Sequence, residues 1–349
     1  MAKKKTTLPK DFEELLSTAT FQELKDIFNK CDVDARGGYG KQTALAYNSC
    51  SHELAKWLVE QGADLHAADT WGNTPLHNRS RSRLGNIESL LLLGADVNYR
   101  DNQNNMPIHA AADAHQIEST RLLLAYGSKT DALNSNDNTP LEQALLTCRN
   151  IDIKATTEIS KLHLKAGVGI TTKMKKLVAE IGKQFEFHRA NFNKENIAEF
   201  DLALDELYKI FGVEPVGKRV LHDGKSQIEI KGKTWQEQHQ ELWELLVPSN
   251  GPAETIQGEI IRVTGRIANE LEGNGGINWD ADYKKMTDKF IELIKQGKQL
   301  PDGELLEAEE IIIQIKQKNG DTARLCELGV KWVIDNPVPV KLSPVDYKR

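Results

Sequence analysis

Cysteine is scarce in this sequence and is used without pattern. Cys31, Cys50, Cys148 and Cys326 stand singly, with no Cys-x-x-Cys spacing. That argues against a zinc site and a disulfide framework and points to a reduced, cytosolic compartment. Long apolar runs are missing as well. No stretch approaches the ~20 residues a membrane helix needs, so no membrane partner is expected. Met1-Ala2-Lys3-Lys4-Lys5 starts positively, but no apolar segment follows, so it does not read as a secretory signal. Positive charge is not in excess: 45 Lys and Arg against 51 Asp and Glu give a net charge of −6. This argues against a dedicated nucleic-acid binder and leaves room for a local basic patch. Three chemical motifs are absent: the Gly-x-x-x-x-Gly-Lys phosphate loop, the His-Glu-x-x-His zinc helix and the Gly-x-Ser-x-Gly elbow. No cofactor and no metal are therefore expected, and the reading leans away from an enzyme. What remains is a chain of 349 residues, 39% hydrophobic and 28% charged, too long for one ordinary core.

The first half carries a pattern that recurs about every 32 residues. Thr74-Pro75-Leu76-His77 returns as Met106-Pro107-Ile108-His109 and, weakened, as Thr139-Pro140-Leu141-Glu142. Each copy runs into leucines closed by a glycine: Leu90-Leu91-Leu92-Leu93-Gly94-Ala95-Asp96, then Leu122-Leu123-Leu124-Ala125-Tyr126-Gly127. An earlier copy ends in Trp57-Leu58-Val59-Glu60-Gln61-Gly62-Ala63-Asp64. Pro75 suits a first helical turn, where its missing N–H would have no partner. Gly62, Gly94, Gly127 and Gly167 suit left-handed helix C-caps.

Thr-Pro-Leu-His followed by Gly-Ala-Asp at this period resembles the ankyrin repeat, a β-turn and two helices stacked in a row. The resemblance implies a solenoid over 8–167. It has an N-terminal cap at 8–36, with Phe21, Leu24, Ile27 and Phe28 facing inward. Repeats are expected at about 37–69, 70–101, 102–133 and 134–167. It also implies that Thr74, His77 and His109 tie each turn to its neighbours, and that the surface binds a protein partner rather than catalysing.

The second repeat departs from the pattern. Asn78-Arg79-Ser80-Arg81-Ser82-Arg83 stands where the family places small alanines. Arg79, Arg81 and Arg83 are candidates for reading a phosphate or an acidic partner, or for solvation and pairing with nearby acids. Trp71 sits at a turn tip, where it either anchors a partner or packs on Tyr39 of the preceding turn. Trp71, Arg79, Arg81 and Arg83 are thus the partner-binding candidates.

Beyond Gly167 the period changes, and a second, helical domain is expected over 170–336. Met174, Leu177, Val178, Ile181 and Phe185 form one helical stripe, and Ile197, Phe200, Leu204, Leu207 and Phe211 the next. Val220–Ile230 reads as a small β-hairpin about Asp223-Gly224. Thr234-Trp235-Gln236-Glu237 opens a helix with a capping box, and further helices are expected near 254–272, 279–296, 303–318 and 321–335. Pro337, Pro339 and Pro344 make 337–349 an extended tail. The fold class is therefore predominantly all-α: an ankyrin-repeat solenoid, then a helical domain with one small hairpin.

The segment 254–280 has the most unusual chemistry. Beside an apolar stripe run Glu259, Arg262, Arg266 and Glu270, flanked by Gly258 and Gly265. Two glycines within a helix imply a close backbone neighbour. The charged stripe reads either as a buried salt-bridge ladder or as a pocket. In the pocket reading, Arg262 and Arg266 hold an anion and Glu259 or Glu270 handles protons. The combination of Trp235–His239, Pro252–Glu259 and Asn274–Asp280 resembles an uncharacterised domain attached to ankyrin repeats in bacterial proteins. That resemblance covers roughly 170–349 and implies a bacterial origin, with a loose analogy to toxin immunity and conflict. Two functions follow as expectations: an interaction module, in its most concrete form an inhibitor, immunity or adaptor protein, or an enzyme or small-ligand sensor built on the charged stripe.

Overall fold

The computed structural model describes residues 3–189 and 197–348. The chain divides into two compact units. The first reaches to Phe185 and takes in the helix at 197–211, and the second runs from Gly217. The first unit therefore extends past the boundary expected near 167–170.

The first unit opens with strand β1 (Lys5–Thr7), helices α1 (Phe12–Thr18) and α2 (Phe21–Lys30), and strands β2 (Cys31–Gly37) and β3 (Gln42–Thr43). β2 lies between a parallel β1 and an antiparallel β3. α2 starts at a capping box in which Thr20 and Glu23 satisfy each other's backbone N–H. Leu24 and Phe28 are buried on its inner face, and Phe12 meets Phe28 and Tyr47 edge-on.

Helix pairs follow. A short 3₁₀ turn (Ala44–Ala46) precedes α3 (His52–Glu60). Then come α4 (Pro75–Ser80) with α5 (Glu88–Leu92), α6 (Pro107–Asp113) with α7 (Ile117–Ala125), and α8 (Pro140–Leu146) with α9 (Ile153–Lys165). Gly62, Gly94, Gly127 and Gly167 all have φ between 85° and 93°, the left-handed C-cap expected of them. Pro75, Pro107 and Pro140 each stand at the first turn of their helix.

Two more helices, α10 (Thr172–His188) and α11 (Ile197–Phe211), carry the stripes read from the sequence. Met174, Val178, Ile181, Phe185, Leu204, Leu207 and Phe211 are buried. α11 packs on α9, where Thr157 Oγ1 donates to Ala203 O at 3.0 Å and Lys161 pairs with Glu206 at 2.7 Å. A repeat stack needs its last apolar face covered, and α11 covers it.

The second unit contains α12 (Trp235–Leu246), α13 (Ile256–Ala268), a π-helical turn (Asn269–Gly273), α14 (Ala281–Ile294), α15 (Asp302–Lys316) and α16 (Thr322–Asp335). Thr234 and Glu237 form the expected capping box on α12. α13 is the central helix, packed on α12, α14 and α16. Its glycines allow this approach: a Cβ at Gly258 would lie 2.9 Å from Leu246 O, and one at Gly265 would lie 2.6 Å from Trp243 Cζ3. The close neighbour implied by those glycines is α12.

The hairpin expected at 220–230 does not form. Asp223 and Gly224 do make a turn, with Asp223 Oδ1 accepting from the N–H groups of Lys225 and Ser226 at 2.8 Å. The flanks do not pair with each other, because Ile228 N–H donates to Pro337 O instead. The sheet of this chain lies at its N-terminal end, where β1 supplies an edge for β2. No helix among the described residues is long and apolar enough to cross a membrane.

Candidate protein-binding groove

The groove is built from a residue column that repeats with the period. Asp69, Asp101 and Asn134 each open a turn by accepting two backbone N–H groups through one side-chain oxygen. Asp69 Oδ1 takes Trp71 and Asn73, Asp101 Oδ1 takes Gln103 and Asn105, and Asn134 Oδ1 takes Asn136 and Asn138. These are Asx turns, in which a short polar side chain stands in for a backbone carbonyl. Lys41, Gly72, Asn104 and Asp137 occupy the same left-handed position of successive turns, with φ of 52°, 84°, 59° and 54°. The fingers are zipped together by Thr70 N–H to Gly40 O, Asn102 N–H to Trp71 O and Ser135 N–H to Gln103 O.

The histidines anchor fingers to helices. His77 Nδ1 accepts from Thr74 N–H at 3.2 Å, which places its proton on Nε2, 3.0 Å from Asn105 O of the next finger. His109 repeats this with Met106 N–H on Nδ1, and Ala132 O and Asn138 O near Nε2. Burial pulls both below the ordinary imidazole range, His109 to about 4. Both are neutral linkers.

Between fingers and inner helices lies a hollow of about 470 Å³. Its floor is a set of interlocked amides: Asn134 Nδ2 donates to Asn105 Oδ1 and Gln143 Oε1, and Gln143 Nε2 donates to Asp113 Oδ1 at 2.8 Å. Its rim is formed by Trp71, Arg81, Asn102, Gln103 and Asn136. A second hollow of about 630 Å³ lies between 128–131 and 166–174, lined largely by small and backbone groups around Gly167 and Gly169.

Trp71 and Arg81, two of the sequence candidates, come together on the groove rim. Trp71 packs on the Tyr39 ring at 5.9 Å between centroids and is still 50% exposed. Arg81 is exposed and donates to Asn73 Oδ1 at 3.4 Å. Arg83 is exposed but outside the groove lining.

Arg79 departs from the expectation of a contact residue, being completely buried. Its Nε donates to Leu45 O at 2.7 Å and its Nη1 to Asn86 O and Ser89 Oγ, beside the Cys50 thiol. Nη2 has no hydrogen-bond partner, and no carboxylate pairs with this guanidinium among the described residues. The signal was in the period. Arg79 aligns with Ala111 and Ala144, both fully buried, so its Cα belongs to an interior column.

In the second unit, the charged stripe is internal. Glu259 and Arg262 are both completely buried. Glu259 Oε2 accepts from Arg262 Nε at 2.9 Å and Ala253 N–H at 2.8 Å, and Oε1 accepts from Arg262 Nη2 and from the Tyr347 hydroxyl, each at 2.6 Å. Four donors face that carboxylate, so Glu259 and Arg262 pair with each other as the first rung of a ladder would. Glu270, in the π-helical turn, accepts from Asn278 N–H at 2.6 Å and from the Asn274 and Asn278 amides, so it closes the 274–278 loop. Arg266 lies half-buried one turn before it. Among the described residues no group of three or more His, Cys, Asp or Glu side chains could hold a metal ion.

Comparison with known proteins agrees with the first-unit geometry. The ankyrin repeat family pattern matches residues 71–102. An ankyrin repeat protein of Acanthamoeba polyphaga mimivirus is 27% identical over 42% of this chain and 22% of its own length. The B-cell lymphoma 3 protein homolog of Mus musculus is 31% identical over 38% of this chain and 29% of its own. The 26S proteasome regulatory subunit p28 of Saccharomyces cerevisiae is 33% identical over 26% of this chain and 41% of its own. The chain thus spans less than half the length of these curated relatives. The chain carries an ankyrin repeat at 71–102 within a helical solenoid, an architecture that supports a role in protein–protein interaction.

Proposed function

We propose that this chain is an interaction module that holds a protein partner in the groove between the fingers and inner helices of its first unit. It acts as an inhibitor that occludes that partner or as an adaptor that carries it. The observation that supports this most is the pairing of a rigid floor with an exposed rim. The Asn105–Asn134–Gln143 network fixes the groove, while Trp71 and Arg81 project from its edge. Preorganised sites with an aromatic and an arginine at the rim lose little ordering entropy on binding. The resemblance of 170–349 to a domain found beside ankyrin repeats in bacterial proteins supports the immunity version of the inhibitor role.

A site-specific photo-crosslinker tests the reading. Placed at Gln103 on the rim, it is expected to yield a protein adduct that disappears when Trp71→Ala is added. Placed at Glu158 on α9, it is expected to yield none. A partner bound through the full chain yet cross-linked only from α15 or α16, and indifferent to Trp71→Ala, would refute the groove as its seat.

A further inference from the structure

The groove's polar groups fall into two layers, and only the outer one is available to a ligand. In the floor, Asn105 is engaged by Asp101 and Asn134, and Gln143 by Asn134 and Asp113. On the rim, the side chains of Asn102, Gln103 and Asn136 are exposed and make no hydrogen bond among the described residues. Arg81 is the rim's cation. Among the described residues its side chain makes one hydrogen bond, the long contact to Asn73 Oδ1, and pairs with no carboxylate. The groove's own carboxylates are engaged, Asp101 by backbone N–H groups and Asp113 by Gln143.

From this arrangement we infer the class of ligand: an extended polypeptide segment in which an acidic side chain stands next to a large apolar one. The inference rests on the groove being a protein-binding surface and adds what that surface selects. The planar guanidinium of Arg81 offers a carboxylate two parallel N–H bonds. The half-exposed indole of Trp71 offers an adjacent apolar side chain a flat face. The three unengaged amides sit on consecutive fingers, Asn102 and Gln103 on one and Asn136 on the next. Each carries both a donor and an acceptor. An extended backbone presents its N–H and C=O groups outward and can satisfy both functions, whereas a helix has used them internally. A nucleic-acid backbone fits less well, because phosphates accept but do not donate and so leave the acceptor oxygens of the three amides without partners.

Selection of a random peptide library displayed on phage against the full chain tests this. Enriched sequences are expected to place Asp or Glu beside Trp, Phe, Leu or Ile. A synthetic peptide of that consensus is expected to bind about tenfold or more weakly to Arg81→Glu, a loss of about 1.4 kcal/mol. Replacing its acid with lysine should restore binding to that variant. Circular dichroism on the variant checks that folding is unchanged. Peptides that depend on Trp71 and Gln103 but lack an acid and ignore Arg81→Glu would overturn the acidic class and leave the groove reading standing. Enrichment of no peptide whose binding falls on Trp71→Ala or Gln103→Ala would overturn both. If a fluorescent single-stranded oligonucleotide bound with a steep salt dependence and was lost on Arg81→Glu, while no peptide was enriched, the ligand would be a phosphate backbone instead.

Discussion

The hydroxyl of Tyr347 donates to Oε1 of Glu259 at 2.6 Å, across 88 residues of sequence and inside the second unit. Glu259 is thereby shared between its own helix, through Arg262, and the tail. The tail is fixed by more than this bond. Gln257 Nε2 donates to Asn336 O and Val338 O, its Oε1 accepts from Val340 N–H, and Thr255 bridges Lys341. The extended conformation dictated by Pro337, Pro339 and Pro344 is therefore not a loose end. It runs along the start of α13, held by the Gln257 side chain, the isolated bridge at Lys341, the Ile228 N–H on Pro337 O and the Tyr347 hydroxyl.

Tyr347→Phe is expected to lower the stability of the second unit by about 1.5–3 kcal/mol, the range for a hydrogen bond to a charged group. Glu259→Gln should do more, about 3–5 kcal/mol, because it leaves the Arg262 guanidinium buried without its counter-charge. Urea unfolding midpoints rank the two variants. Equal midpoints for Glu259→Gln and wild type would mean that the pair contributes nothing.

Arg79 gives a second prediction. Truncation to alanine removes the donors of Leu45 O, Asn86 O and Ser89 Oγ and leaves a cavity where a long side chain stood. Unsatisfied buried acceptors cost about 1–3 kcal/mol each, partly offset here because an unpaired charge is no longer desolvated. A net loss of about 3 kcal/mol is expected, with faster amide exchange over 81–89, the segment that Arg79 braces. Gly85 belongs to this brace, since a Cβ there would strike Arg79 O. Arg79→Lys should recover at most half of the loss, since one ammonium cannot span the three acceptors in the geometry of a guanidinium. Unchanged exchange in 81–89 for Arg79→Ala would show that the loop stands by itself.

Acid should weaken the first unit through His109. Its folded pKa, about 4, lies below the ordinary value of 6.5, so the unfolded chain takes up a proton first as the pH falls. The stability contribution is complete above about pH 6.5 and is lost progressively as the pH drops toward 4, on the order of 3 kcal/mol in all. His77 is shifted in the same direction, also by burial. NMR titration of the His109 ring is expected to show a midpoint near 4, accompanied by a falling melting temperature. A midpoint near 6.5 would contradict the neutral-linker role.

The solenoid was legible because its rules are local and periodic. A threonine or methionine, a proline and a capping partner open each inner helix, and a glycine closes each outer one, so Thr74 and Gly94 declare their roles within a few residues. Arg81 stands out for the same reason, as a departure from the pattern, and Trp71 by its place at a turn tip. At Arg79 chemistry and phase point opposite ways: a charged residue reads as exposed, but its column is the interior one filled by Ala111 and Ala144. The amide floor was equally present in the period, since Asp69, Asp101 and Asn134 align, as do Asn73, Asn105 and Asn138.

The second unit was less legible because its decisive contacts are long-range. The helices could be placed, and Gly258 and Gly265 announced a close neighbour. Nothing local said that Tyr347 would reach Glu259, or that Ile228 would donate to Pro337 in preference to closing a hairpin across Asp223-Gly224. A hairpin signal is a statement about two strands in isolation. Here a third segment supplied the acceptor.

The tail's seat along α13 has a bearing on biosynthesis. A ribosome releases the chain from its N-terminal end, so the repeats can stack while the second unit is still being made. Gln257 and Glu259 emerge long before the segment at 336–347 that supplies four of their partners. During that interval the nascent helix must keep a glutamine amide and one carboxylate oxygen in water, and α13 cannot bury its polar edge until synthesis has passed Tyr347. Completion of this unit therefore waits on the segment at 336–347, and a chain stalled before Tyr347 would display stacked repeats and an unfinished helical body.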